Sequence, residues 1–532
     1  MIPGMQQSQL EVRWPWIVLA VLLGVCLAHG LWVVRDLGPY SAILDTYRDA
    51  GFVQGILDGN LTGDPSIEGA RRYYPPLIHI LAAAIAYVGH WPPLAFLTRT
   101  APWVNLLIPA SFFVMVRRLA NAPAAALATT LMVCFNGTLL PPWMTASYSP
   151  WPSVPEITQA LFFCGVWMIA SRARAGRLID AVWAGSIVGI VFLAHTIPAL
   201  ILAGITAASA ASLWGAQART VRWLGIAGVT AALWAAPFMV PLAMTYHLKI
   251  LNAAGSFTDP LFDPHRVPVR VLLASLPGIG AVGLLAWNFR SCRTAHSLTR
   301  PAAAILSVWI ALPLLFIMRH FGCAGGTSSV CTVFQVPVHH WMIYLQSALA
   351  CVFGYALASV WAEIGYKPGP AVVAGTGIAV LGAALLFMQP MDRQMRARAI
   401  DMRSRIDLQL YGWLLARTRP DALFVTDVAT DAVHDSAAMA VLAAGRRSVA
   451  LPFTYSNPYI DWRTRKARAD AYLTAIRSGP GPAALCELID EAGPGHDAFV
   501  ALEAGSPAPA ALPVVIRTRQ NSLYSVPSDC RD

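Results

Sequence analysis

Charge is what this sequence has least of. Only 12% of its 532 residues are Asp, Glu, Lys or Arg, against about 25% in soluble domains. Together with 56% hydrophobic residues and a mean hydropathy of +0.55, that scarcity excludes an ordinary water-soluble enzyme. It also excludes a disordered chain, which needs low hydrophobicity and dense charge. No internal repeat, heptad or low-complexity tract is present. The basic excess, +10, is scattered through short loops and forms no stripe with interleaved aromatics, so nucleic-acid binding is not indicated.

What the sequence has is long apolar runs. Stretches of roughly 18 or more apolar residues recur between Trp14 and Met388 and read as bilayer-spanning helices. Eleven spans are expected: 14–34, 100–116, 122–141, 155–170, 178–194, 197–214, 223–244, 268–289, 301–318, 339–361 and 370–389. The first is longer than a signal-peptide core and is followed by others, so it reads as a retained span. Eleven spans with a cytoplasmic N-terminus place Arg117–Arg118, Arg172 to Arg177, Arg219 to Arg222, Arg290 to Arg300 and Lys367 on the cytoplasmic side, as the positive-inside rule requires. Counting 75–91 as a further span would move all of them outside. The segment Tyr74 to Trp91 is therefore expected as an interfacial or re-entrant helix at the outer leaflet.

Carboxylates are distributed unevenly. Of 28 acidic residues, 12 precede residue 390, and six of those crowd into the first outer loop: Asp36, Asp45, Asp49, Asp58, Asp64 and Glu68. Glu156, Asp259 and Asp263 fall in or beside other outer loops. Such one-sidedness is what an extracytoplasmic active site would produce. From about Pro390 onward the composition shifts, with 16 acidic residues and no run long enough to span. Leu423–Thr426 and Ser448–Leu451 read as strands, with a small-residue helix from Ser436 to Ala444 ending at Gly445. The expectation is thus an all-α polytopic membrane domain over 1–389, with outer loop 35–75 and helix 75–91, and a soluble extracytoplasmic α/β domain over 390–532. Cys323 with Cys331 and Cys486 with Cys530 are even pairs on the oxidising side and read as disulfides.

Several residues are candidates for chemistry. Asp36 follows the first span directly, at the interface, where partial desolvation raises basicity; it is the first choice as general base, with Asp45 and Asp49 one to two helical turns downstream. Arg71 and Arg72 precede Tyr74-Pro75-Pro76-Leu77, and His195 lies at an outer turn. Asp259, Asp263 and His265 share a turn-like outer loop, and the adjacent His339 and His340 diverge too much on a helix to make a metal site by themselves. Trp143, Trp151 and Trp341 are expected in an interfacial aromatic belt. Tyr455 to Tyr459, with Asp461 and Arg463, reads first as a structural loop of the tail.

A first span, an acidic outer loop with Asp36 near its start, and the Tyr74-Pro-Pro-Leu77 helix resemble the GT-C superfamily, polytopic glycosyltransferases that use polyprenyl-phosphate-linked sugars. The likeness covers the order of elements over about 14–214 and the outer C-terminal domain. It implies that Asp36 matches the family's first-loop aspartate, and that cations such as Arg71 and Arg72 meet the lipid phosphate. Tyr74, Tyr148, Glu156 and His195 are the further substrate-binding candidates. Two departures matter. The Trp-Trp-Asp-Tyr-Gly motif of oligosaccharyltransferases is missing, which argues against asparagine glycosylation. The second outer loop, Pro141 to Glu156, carries Tyr148 and Glu156 in place of an acidic pair, so no cofactor is assigned beyond an optional divalent cation, Mg2+ or Mn2+.

The resulting expectation is an inverting glycosyltransferase of a bacterial-type inner membrane. It would move a sugar from a polyprenyl-phosphate carrier to a lipid, glycan or protein acceptor at the outer face, among membrane lipids and without nucleic acid. The alternatives are a transporter or lipid-linked-glycan flippase, against which the absence of internal symmetry speaks, and a non-catalytic assembly protein.

Overall fold

The computed structural model describes residues 3–67, 69–136, 145–173, 176–252, 280, 298–322, 338–363, 382, 392–428, 435–478, 482–493, 496–506, 509 and 512–527. Its helices include α1 (Pro3–Val34), α2 (Asp45–Leu57), α3 (Leu77–Gly89), α4 (Pro93–Val104), α5 (Leu107–Leu119), α6 (Ala122–Leu131), α7 (Val154–Arg172), α8 (Leu178–Ala194), α9 (Thr196–Trp214), α10 (Ala218–Tyr246), α11 (Arg300–Gly322), α12 (Val338–Glu363), α13 (Leu408–Arg417), α14 (Ser436–Ala443), α15 (Trp462–Arg477) and α16 (Pro482–Ala492). The chain divides into two compact units. One comprises Met1–Arg35, Thr100–Pro237 and Phe257–Met395; the other comprises Asp36–Arg99, Phe238–Ser256 and Arg396–Asp532.

The protein is a multi-pass membrane protein. Among the described residues, seven helical stretches are long and apolar enough to cross a bilayer: Trp14–Val34, Pro93–Leu119, Val154–Arg172, Thr196–Trp214, Ala218–Tyr246, Arg300–Arg319 and Val338–Ala362. Ala122–Cys134 and Leu178–Ala194 are apolar but shorter. The expected spans 268–289 and 370–389 lie, but for residues 280 and 382, outside the described residues, as do residues 137–141 of the third. That third helix ends at Leu131 and runs into a π-turn, Met132–Asn136. Asn121 starts it, its side chain accepting from the Ala124 amide at 2.8 Å, with proline in the first turn.

The core of this first unit is aromatic where α5, α7, α11 and α12 meet. Phe162 lies 5.0 Å from Trp309 and 4.9 Å from Tyr344, and Phe112 lies 5.0 Å from Phe163, all edge-to-face. Trp151 and Trp341 are 1% and 2% exposed, and Trp341 stacks on Phe316 at 4.0 Å. Trp341 belongs to the apolar core and Trp151 is buried, so neither presents the exposed indole of the interfacial belt expected of them; Trp143 lies outside the described residues.

The second unit is built on a mixed sheet with strand order β2-β1-β3-β5-β4, where β1 is Leu423–Thr426, β2 Arg447–Ser448, β3 Ala498–Glu503, β4 Val514–Arg517 and β5 Asn521–Val526. β1 runs parallel to β2 and β3; β5 runs antiparallel to β3 and β4. Strand β2 is shorter than the expected Ser448–Leu451, since only Arg447 and Ser448 pair with β1. Alternation sends Leu423, Val425, Val500 and Tyr524 to one face, under α15 and α16, and Phe424, Phe499, Ala501 and Leu523 to the other.

On that second face lie α13 and α14 together with the first loop. Tyr47, Ala50 and Val53 of α2, Ala82, Ala83 and Ala86 of α3, and Leu94 and Leu97 of α4 share one buried core with the sheet. The acidic loop and the tail thus fold as one body. Contact is close: a Cβ on Gly51 would collide with the Leu442 carbonyl, and Gly445 ends α14 with φ +61°, a conformation cheap only for glycine. Helix α3 has 13 residues, a rise of about 20 Å, too short for a bilayer core of about 30 Å. Cys486, on α16, is disulfide-bonded; Cys323, Cys331 and Cys530 lie outside the described residues.

Candidate functional site

The acidic first loop resolves into carboxylates in very different surroundings. Asp36 sits on an exposed turn just after α1 with φ +63°, a left-handed conformation that Asp tolerates better than most residues. Its carbonyl accepts from the Arg403 guanidinium, which also lies 5.9 Å over the Tyr40 ring.

Asp45, Arg48 and Asp49 occupy one face of α2, at the i, i+3 and i+4 spacing that brings helical side chains together. The Arg48 guanidinium approaches Asp49 Oδ1 through Nη2 at 2.8 Å and Nε at 3.1 Å, and Asp45 Oδ1 through Nη1 at 3.6 Å. Its Cζ lies 4.4 Å over the Tyr74 ring and 6.0 Å over that of Tyr455. From α3, His79 Nε2 reaches the same Asp49 oxygen at 3.2 Å. Asp49 and His79 are 3% and 1% exposed, whereas the Asp45 side chain keeps 33% of its surface accessible.

The two carboxylates consequently differ in acidity. Burial raises the Asp45 pKa; the Arg48 charge and a hydrogen bond with the Tyr455 side chain oppose this, and the nearby Asp49 charge adds to it. For Asp49 burial is also the largest influence, but Arg48 and His79 overcome it and hold the carboxyl below its ordinary value. Asp45 is thus the less acidic and the more accessible of the pair, the combination a general base requires.

A second cluster lies along the strap between α2 and α3. Asp64, 5% exposed, accepts from the Ser66 amide at 3.0 Å, and burial lifts its pKa to about 6. Arg72 is 4% exposed; its Nη2 donates to the Phe52 and Asn60 carbonyls at 3.4 and 3.3 Å, and its Cζ lies 5.0 Å over the Phe52 ring. Burial brings its pKa down to about 10. Arg72 is buried within the strap, its Nε and Nη1 without a hydrogen-bond partner among the described residues, while Arg71 is exposed. The Arg71 amide donates to the Tyr246 hydroxyl at 2.7 Å, and the Arg71 carbonyl accepts from Asn457 Nδ2 at 3.1 Å. Tyr246 stacks on Tyr459 at 5.0 Å.

The remaining candidates belong to the first unit. Tyr148 is 4% exposed and donates to the Pro102 carbonyl at 3.1 Å, filling space beside Gly30, where a Cβ would collide with its hydroxyl. Glu156 is fully buried in the first turn of α7, 3.4 Å from Asn105 Nδ2. His195 caps α9, Nδ1 accepting from the Ile197 amide at 3.4 Å, and its ring lies edge-on to His340 at 4.7 Å. Asp259, Asp263, His265 and Glu68 lie outside the described residues. Among the described residues no group of three or more His, Cys, Asp or Glu side chains is arranged to hold a metal ion.

Sequence reasoning did not single out Arg48 or His79. The Asp45-x-x-Arg48-Asp49 spacing was a usable signal for the first; nothing local marks His79, which meets Asp49 only through tertiary packing.

No family model matches this sequence, and neither does any curated protein. Solved structures do match in fold. ArnT from Cupriavidus metallidurans bound to undecaprenyl phosphate superimposes with a TM-score of 0.57 at 14% identity, covering 97% of this chain and 98% of its own. An oligosaccharyltransferase from Archaeoglobus fulgidus, tethered to an acceptor peptide, gives 0.53 at 12% identity, over 93% of this chain and 70% of its own. The arabinofuranosyltransferase AftD from Mycobacteria gives 0.54 at 12% identity, over 97% of this chain and 40% of its own. At these identities the likeness is one of fold.

Proposed function

We propose that this chain, which has the GT-C fold, is an integral-membrane glycosyltransferase acting with a polyprenyl-phosphate-linked sugar. The fold neighbours support the class: an undecaprenyl-phosphate-bound protein, an oligosaccharyltransferase and an arabinofuranosyltransferase share the arrangement across nearly the whole chain. The observation that carries the reading is the carboxylate pair on α2. It provides an accessible carboxylate of raised pKa, Asp45, backed by a buried ion pair. In this reading Asp45, and not the exposed Asp36, accepts the proton of the acceptor hydroxyl as its oxygen attacks the anomeric carbon. The carbon–phosphate-oxygen bond breaks in line, and the lipid phosphate leaves with its electron pair. One displacement inverts the anomeric centre.

The exposed Arg71 is the first-loop cation best placed to meet a lipid phosphate; Arg72 has its donors turned inward. The topology that fits is a cytoplasmic N-terminus with α2, α3 and the tail outside the inner membrane, since the basic loops then stay inside. The test is mass spectrometry of lipid-linked and envelope glycans from a deletion strain complemented with wild type, Asp45→Asn or Asp36→Asn. The expected result is loss of one sugar, with accumulation of its carrier lipid, restored by wild type and by Asp36→Asn but not by Asp45→Asn. Unchanged glycans in the deletion strain would remove the transferase reading; full restoration by Asp45→Asn would remove Asp45 as its base.

A further inference from the structure

We infer that Asp49 is a positioning residue for Asp45: with His79 it holds the Nε–Nη2 edge of the Arg48 guanidinium, so that Asp45 meets an acceptor with only the longer Nη1 contact to Arg48. The inference rests on the reading of Asp45 as the base. Its physical content concerns only side chains within one compact unit.

The geometry carries it in three steps. First, the guanidinium is shared unequally. Its Nε–Nη2 edge, the side that presents two parallel donors, is turned to Asp49 at 3.1 and 2.8 Å, and only Nη1 is left for Asp45, at 3.6 Å. Second, the guanidinium is fixed in that pose. The Tyr74 ring lies 4.4 Å from Cζ, and Arg48 is 8% exposed, so it cannot swing out to solvent without giving up a buried stack. Third, Asp49 is itself anchored from another helix. Its Oδ1 takes Nε2 of His79, whose own Nδ1 is buried with no hydrogen-bond partner among the described residues. With its hydrogen on Nε2, a neutral His79 donates to the Asp49 carboxylate. It adds a hydrogen bond to Asp49 without a second positive charge to compete with Arg48. Burial disfavours the imidazolium as well, and the Arg72 and Arg48 charges add to that.

The groups facing Asp45 can then be weighed. Arg48 and the Tyr455 hydrogen bond favour its ionised form, and Asp49 disfavours it; Asp45 in turn influences Tyr73, Tyr74 and Tyr455, the last of which also feels Arg398. Neutralising Asp49 removes a like charge one helical turn away and frees Arg48 to pair fully with Asp45. Both changes lower the Asp45 pKa. Removing Arg48 instead raises it, because the Arg48 charge is the largest influence opposing burial at Asp45.

The test reads ionisation directly and needs no sugar substrate. pH-difference infrared spectra of the full chain in detergent give the protonated-carboxyl band of Asp45, assigned by its loss in Asp45→Asn. The Asp45 midpoint is expected to fall by about 1 pH unit or more in Asp49→Asn and to rise in Arg48→Gln. An unchanged or raised midpoint in Asp49→Asn overturns the inference. If Asp49→Asn does not yield folded protein, Asp49→Ser, which also removes the charge, decides by the same criterion. The expected midpoints together with unaltered glycans in the deletion strain would leave the effect of Asp49 on Asp45 standing and the transferase reading refuted.

Discussion

Arg446 offers the sharpest test that the acidic loop and the tail fold as one body. Its side chain is 3% exposed and bridges 388 positions of sequence to Asp58, at the C-terminal end of α2, with Nη1 to Oδ2 at 2.7 Å. The same guanidinium donates to the Ala444 carbonyl at 3.0 Å, the Thr418 hydroxyl at 3.0 Å and the Thr418 carbonyl at 3.3 Å. Arg446→Met keeps most of the aliphatic stem and removes all four bonds. Breaking a buried ion pair from one side costs about 3–5 kcal/mol. Asp58 retains 16% exposure and a hydrogen bond from Gln54, so it recovers part of its solvation and the lower end applies, about 3 kcal/mol. For a body of this size that is a fall in apparent Tm of about 6–12 °C. The assay is tryptophan-fluorescence unfolding of detergent-solubilised protein at a fixed scan rate, since membrane proteins of this kind unfold irreversibly. Trypsin cleavage in the strap at 59–76 should accelerate in parallel. A fall below about 2 °C, with unchanged cleavage, would refute the reasoning.

Two further outcomes follow from the same unit. The folded pKa of Asp64, about 6, lies above its unfolded value, so its ionisation costs stability that is intact below about pH 4 and lost as pH rises through about 6. Asp64→Asn should therefore stabilise on the order of 3 kcal/mol at pH 8 and by almost nothing at pH 4, read as paired melting curves; a gain that ignores pH would contradict this origin. Gly51→Ala places a methyl against the Leu442 carbonyl and should cost about 1–3 kcal/mol by the same melting assay, with no cost meaning that α2 and α14 sit further apart than described.

Composition and apolar run length were enough to establish a multi-pass membrane protein, because a bilayer leaves a chain almost no other way to satisfy its backbone. Local pattern was also enough for β1, which begins and ends where the apolar run Leu423–Thr426 does, for α14 stopped by Gly445, and for a short separate α3. These features depend on residues close in sequence.

The choice among the first-loop carboxylates was of another kind. Asp36, Asp45 and Asp49 read alike along the chain, and proximity to the first span favoured Asp36. Tertiary packing separates them: Asp36 is left on an exposed turn, Asp49 is buried between Arg48 and His79, and Asp45 is set partly open beside Tyr455. The burial of Arg72, the capping role of His195 and the burial of Trp151 have the same origin. Basicity and hydrogen-bond availability are properties of surroundings, and those surroundings come from segments up to hundreds of residues apart that only the folded chain brings together.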